Sequence, residues 1–218
     1  MREKIKAILV LVGLLVIASF AQGNEKKAED FAFHTFNFTL PIEHEVWDTK
    51  KNDFDSFYSY FGYEFSWKLR SVNQSGFSSL AGFSAGYIKE TGNLSGFDYK
   101  ASFGRGFTFV GDNVVLGVHG IVGIDIKYLL YNEPKYDIES WFHFASLFSG
   151  AEVFACFRIT KNVGITAGVD WAVNYLGIGK HRAVYHLDDD WDEVYIYYHY
   201  SWLEGFSIMP QIGFSYFF

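Results

Sequence analysis

The chain has 218 residues, half of them hydrophobic and 21% aromatic, with 24 Phe, 15 Tyr and 6 Trp. That apolar load excludes a disordered chain, three Pro exclude a proline-rich segment, and a single Cys excludes a disulfide framework or a cysteine-rich zinc module. A net charge of −7 argues against a nucleic-acid partner, which needs a basic surface to neutralise phosphates.

The chain opens with Arg2, Lys4 and Lys6, then an apolar run from Ile8 to Phe20, then Ser19-Phe20-Ala21 with small residues where signal peptidase reads them. Residues 1–21 are therefore expected to be a cleaved signal peptide, too short for a membrane-spanning helix. Residues 22–30 are expected to be a short periplasmic segment. No later apolar run approaches the length of a spanning helix.

Beyond residue 30 the hydrophobic pattern has a period of two, which is the pattern of strands. Over 57–70 the odd positions are Phe57, Ser59, Phe61, Tyr63, Phe65, Trp67 and Leu69, while the even ones include Gly62, Glu64, Ser66, Lys68 and Arg70. The same alternation recurs at 97–109, 114–127, 163–175 and 205–218, and more weakly at 31–42, 77–89 and 145–159. Eight strands are expected. Short polar links at 71–76, 110–113 and 160–162 alternate with longer connections at 43–55, 129–140 and 177–194, with a shorter one near 90–96. The fold class is thus an all-β, eight-stranded antiparallel up-and-down transmembrane barrel over 31–218.

Alternation does not say which face is outside. The polar face carries mainly Gly, Ser, Thr and Ala, which suit a narrow lumen better than a solvated exterior. Aromatic residues crowd the strand ends, as interfacial girdles do. The last strand ends at Phe218 with apolar residues at every second position back to Phe206. On these grounds Phe57, Phe61, Phe65, Trp67, Phe214 and Tyr216 are expected to face lipid. The pattern, length and terminal strand resemble the small eight-stranded outer-membrane barrels: the barrel of outer membrane protein A, outer membrane protein W and the opacity-type proteins. The resemblance implies an outer-membrane location and Phe218 as the C-terminal signal for the barrel assembly machinery. It also implies delivery by periplasmic chaperones and contact with outer-membrane lipid and lipopolysaccharide.

Parity places Glu64, Asp98, Asp125, Glu152 and Asp170 in the lumen with Lys68, Arg70, Lys100, Lys127 and Arg158, and with His119. Near balance is what a charge network needs, because an unpaired buried charge costs several kcal/mol, on the order of 3–5. The expected network is Glu64, Lys68, Lys100, His119, Glu152, Arg158 and Asp170. A turn centred on Lys161 sets Glu152 directly opposite Asp170, so one cation, Lys68 or Lys100, is expected between them. Cys156 falls on the lumenal face. Arg105 falls on the lipid face between Gly104 and Gly106. It either snorkels to the periplasmic interface or is turned inward by a bulge.

No catalytic residue, metal site or cofactor is assigned. The nearest catalytic candidates are His199 and Ser201, with Glu204 close by. They resemble the His-x-Ser dyad of lipid A deacylase barrels, although Gly213 stands where that family carries an acid. The nearest metal candidates are Asp188, Asp189, Asp190 and Asp192, in a run that reads as a solvated acidic loop. The functional expectation is envelope structure or surface contact through long outer loops, with a side-chain-filled lumen. The alternatives are a narrow channel for small solutes, apolar ones included, and a lipid A esterase.

Overall fold

The computed structural model describes residues 30–46, 57–90, 94–133, 138–186 and 192–218. Residues 1–29 lie outside these, and with them the expected signal peptide and all but the last residue of the segment after it.

Nine antiparallel strands follow one another: β1 (Phe31–Thr39), β2 (Ile42–Val46), β3 (Phe57–Val72), β4 (Phe77–Glu90), β5 (Leu94–Val110), β6 (Val114–Glu133), β7 (Ile138–Arg158), β8 (Val163–His186) and β9 (Asp192–Phe217). From β3 onward each pairs with its successor, and the ring closes where β1 and β2 both lie between β3 and β9. β1 and β2 are one barrel strand interrupted at Leu40-Pro41. Pro41 has no N–H to give to the ladder, so the strand breaks there while Leu40 N–H still donates to Pro210 O at 3.0 Å. The ring therefore has eight strands.

The tight turns and the last residue share one end of the barrel. Phe217 N–H donates to Asn162 O, and Phe218 N–H donates to Ala32 O. At the other end the strands run farther than the sequence pattern suggests. The segments 129–140 and 177–194, read as loops, instead continue largely as strand. β8 has 24 residues and β9 has 26, against about 9–11 for a membrane-spanning strand. The pattern was obscured by register shifts at Ala145/Leu147 and Asn174/Tyr175, the second beside Leu176, whose φ of 54° is left-handed. A bulge moves the alternation by one place, so a period-two reading loses phase there.

The inside is polar and the outside apolar. Phe61, Phe65, Trp67, Phe214 and Tyr216 are exposed on the outer wall, and Phe65 and Phe103 reach 65% exposure. The side chain of Phe57, the first residue of β3, lies outside the described set. Among these exposed rings, Trp67 Nε1 donates to His34 Nδ1 at 3.1 Å, and His34 stacks on Phe218 with centroids 5.0 Å apart. An apolar belt of this kind, wrapped around buried Glu, Lys and Arg, suits hydrocarbon rather than water.

Candidate functional site

The interior holds charged layers alternating with apolar ones. At the turn end, Phe33, Val72, Val115, Phe154, Cys156 and Phe217 pack together, with Phe33 and Phe217 stacked at 5.0 Å. Leu80, Ile121, Phe148, Ala172 and Met209 form a middle layer. Ile88, Leu94 and Leu129 form an upper one, with Phe142 and Phe144 against it.

Between the lower two layers sits the principal charge cluster. Glu152 on β7 and Asp170 on β8 are direct cross-strand partners. Lys68 reaches across from β3 and donates to both, at 2.8 Å to Glu152 Oε1 and 2.5 Å to Asp170 Oδ2. Arg70, two residues on and so on the same face, donates to Glu152 Oε1 at 2.5 Å and to Thr35 Oγ1 at 2.7 Å. Its guanidinium lies 4.2 Å from the centre of the Phe154 ring. Arg70 and Glu152 are both 0% exposed, so each depends on the other for its charge to be tolerated.

The remaining oxygens are satisfied by further polar side chains. His119 faces Glu152 in register, with Nδ1 3.1 Å from Oε2 and Nε2 2.8 Å from Ser78 Oγ. Thr108 Oγ1 donates to Ser78 Oγ at 2.9 Å. These contacts form one consistent chain: Thr108 to Ser78, Ser78 to His119, His119 to Glu152. Gln211 Nε2 donates to Asp170 Oδ1 at 2.7 Å, and its Oε1 accepts from Asn37 at 2.8 Å and from Lys68 at 3.1 Å. Ser215 bridges Thr35 and Thr166 at 3.1 and 2.5 Å. All eight strands of the ring thus contribute to one connected network, which ties the wall together as a satisfied polar core does.

Two smaller groups lie outside this cluster. Lys100 is 2.7 Å from Asp98 and 3.4 Å from Glu64. Asp125 is 3.5 Å from Lys127 and accepts from Asn174 at 3.0 Å. A cavity of about 20 Å³ separates Lys68 and Lys100, lined also by Glu64, Ser84, Asp170 and Met209. That is the room of a single water.

The sequence reading and the structure differ at identifiable residues. Lys68, His119, Glu152 and Asp170 converge, while Glu64 and Lys100 meet in a separate pair. Arg158 stands apart at the turn end. Its guanidinium lies 4.5 Å from the Phe217 ring and 5.8 Å from Phe31, and among the described residues no ion pair joins it to a carboxylate. Parity gave its face but not its height. Parity puts Arg70 in the lumen and names no partner for it; in the structure it is the second cation on Glu152. The signal for it was the Lys-x-Arg spacing, which sets both cations on one face. Arg105 is exposed on the outer wall, and the pairing of β4, β5 and β6 runs past it without interruption, so no bulge turns it inward. Its flanking glycines have a different use: a Cβ on Gly104 would meet Ile121 Cγ2 at 3.0 Å, and one on Gly106 would meet His119 Cα at 2.7 Å.

Backbone register sets Ser201 opposite Gly177 and His199 opposite Gly179, on one face of β9. Their side chains, and that of Glu204, lie outside the described residues, as do Asp188, Asp189 and Asp190. Asp192 pairs with His186 through its backbone, its side chain also undescribed. Among the described residues no group of three or more His, Cys, Asp or Glu is placed to hold a metal ion.

No protein-family model and no curated protein matches the chain. Solved structures do. The neisserial surface protein A is 9% identical with a TM-score of 0.54, over 86% of this chain and 97% of that one. A major outer membrane protein of Thermus thermophilus is 9% identical with a TM-score of 0.53, over 85% of this chain and 99% of that one. At such identities the likeness is one of fold: the chain has the architecture of the small outer-membrane β-barrels.

Proposed function

We propose that this chain is an integral outer-membrane barrel with a closed lumen, whose role is envelope structure and surface contact through the part of the wall that rises past the apolar belt. The observation that carries this reading is the network around Glu152. It spans the lumen from wall to wall, and the Phe33, Phe154 and Phe217 layer lies beneath it. An open pathway would have to break several charge-assisted hydrogen bonds that have no bulk water to replace them. With the interior given over to packing, the surface left for recognition is the outer extension. There β9 carries Tyr195, Tyr197, Tyr198, Tyr200 and Trp202, all exposed.

A narrow channel is the second reading, favoured by the charged groups stacked along the axis and by the water-sized cavity among them. Planar-bilayer recording of the purified, folded protein separates the two. The closed barrel gives a silent baseline at moderate voltage. Discrete, reproducible conductance steps that track the folded species would overturn it and install the channel.

A further inference from the structure

We infer that the outward face of β7 and β8, just past the apolar belt, binds the phosphate groups of a phosphorylated glycolipid in the outer leaflet. The inference rests on the outer-membrane placement proposed above and names the lipid partner that such a placement supplies.

Register fixes the layout of this face. Ile178, paired with Tyr200, is exposed on it. In the next row outward Lys180 has His143 on one side and Tyr198 on the other. In the row after that Arg182 has Trp141 on one side and Ile196 on the other. Lys180, Arg182 and His143 are exposed on the same face, and two residues of strand separate Lys180 from Arg182, about 7 Å. Two cations thus stand in successive rows of this face, with Ile196 still exposed beside Arg182, in a chain whose net charge is −7.

Adjacent like charges repel, and an anion between them removes the cost. Among the described residues on this face the nearest carboxylate is Glu139, which faces Val184 one row farther out. The guanidinium of Arg182 lies 5.4 Å from the Trp141 ring. Laid on an indole, it keeps its N–H edge for a pair of oxygen acceptors, the geometry that suits phosphate. Lys180 supplies a second, mobile point charge. Tyr198, Tyr200 and Trp141 supply ring faces on which a sugar ring can rest, with phenol and indole donors at their edges. Cations for phosphate, aromatic faces for sugar and an apolar belt directly below for acyl chains match a phosphorylated glycolipid better than a free anion.

The test uses folded, detergent-solubilised protein titrated with bis-phosphorylated lipid A and, in parallel, with lipid A stripped of both phosphates, read by native mass spectrometry. Wild type should bind the phosphorylated form at least tenfold more tightly. The double variant Lys180→Gln/Arg182→Gln should lose at least tenfold for the phosphorylated form, and Lys89→Gln, a cation exposed on β4, should lose none. Retained heat-modifiability on gels shows that the double variant is folded. Equal binding of both lipids, or unchanged binding by the double variant, would overturn the site and leave only adsorption to the belt. Fractionation of cells tests the placement separately. A chain found in another membrane removes the outer-membrane reading, while phosphate dependence at Lys180 and Arg182 still decides the site.

Discussion

Lys68 shows what a single buried charge decides in this molecule. It lies between Glu152 and Asp170, and Arg70 shares Glu152 with it, so two cations face two anions. The opposition of the two acids was legible in the sequence, because a tight turn near Lys161 leaves little freedom of register. That one lumenal Lys would serve both was legible as well. The second cation was not, since parity says which face a residue occupies and nothing about how far across the lumen it reaches. The difference changes an expectation. With one cation between two acids, neutralising both acids would be mild; with two, it strands Lys68 and Arg70 together. Glu152→Gln/Asp170→Asn is therefore expected to be as damaging as Lys68→Met, each costing about 3–5 kcal/mol, the scale of a broken buried pair. Lys68→Met/Asp170→Asn removes one charge of each sign and keeps the Arg70–Glu152 pair, so it should recover most of that loss. Equilibrium urea unfolding in lipid vesicles measures all three, and a double acid variant close to wild type would mean that Arg70 does not bear on Glu152.

At the scale of the strand, most of the ladder could be read from alternation, because a membrane strand with lipid on one side and a narrow lumen on the other has no freedom to mix its faces. Legibility failed where the wall leaves the membrane. Past Leu176, β8 and β9 carry Tyr, Trp, His and Lys in a mixed order, so hydrophobicity no longer marks a side. The bulge also shifts the phase at the same level. Leu176 itself makes this testable. An L-residue in the left-handed region costs roughly 1–2 kcal/mol, and glycine is exempt. The side chain is 44% exposed, so removing it forfeits little packing. Leu176→Gly should hold or raise stability by up to about 1 kcal/mol, whereas Leu176→Val, β-branched and ill-suited to positive φ, should lower it by about 1–2 kcal/mol. Urea midpoints of the two variants check the sign. Identical behaviour would place Leu176 in ordinary extended backbone and the register shift elsewhere.

For the whole molecule the governing fact is inversion: Glu, Lys and Arg are buried, and Phe, Ile and Val are exposed. Sequence reached this from the small residues of one face, the aromatic strand ends and the terminal strand ending at Phe218, since a barrel with its faces exchanged has the same period. The inversion has an energetic signature that separates a membrane wall from a solvated one. Phe65 on β3 and Phe103 on β5 are both 65% exposed. On a water-soluble protein, replacing such a ring with Lys changes stability by no more than about 0.5 kcal/mol. Against hydrocarbon the same change takes a charge into the bilayer and costs about 2–4 kcal/mol near the midplane, less toward either interface. Phe65→Lys and Phe103→Lys should therefore lower stability in vesicles by that amount. Phe65→Leu and Phe103→Leu, which keep the surface apolar, should stay within about 1 kcal/mol of wild type. The Lys variants should recover in thinner bilayers, where the ammonium reaches the headgroups with a shorter stem. If Lys is tolerated as well as Leu at both positions, this wall does not meet lipid, and the apolar belt must be covered by protein instead.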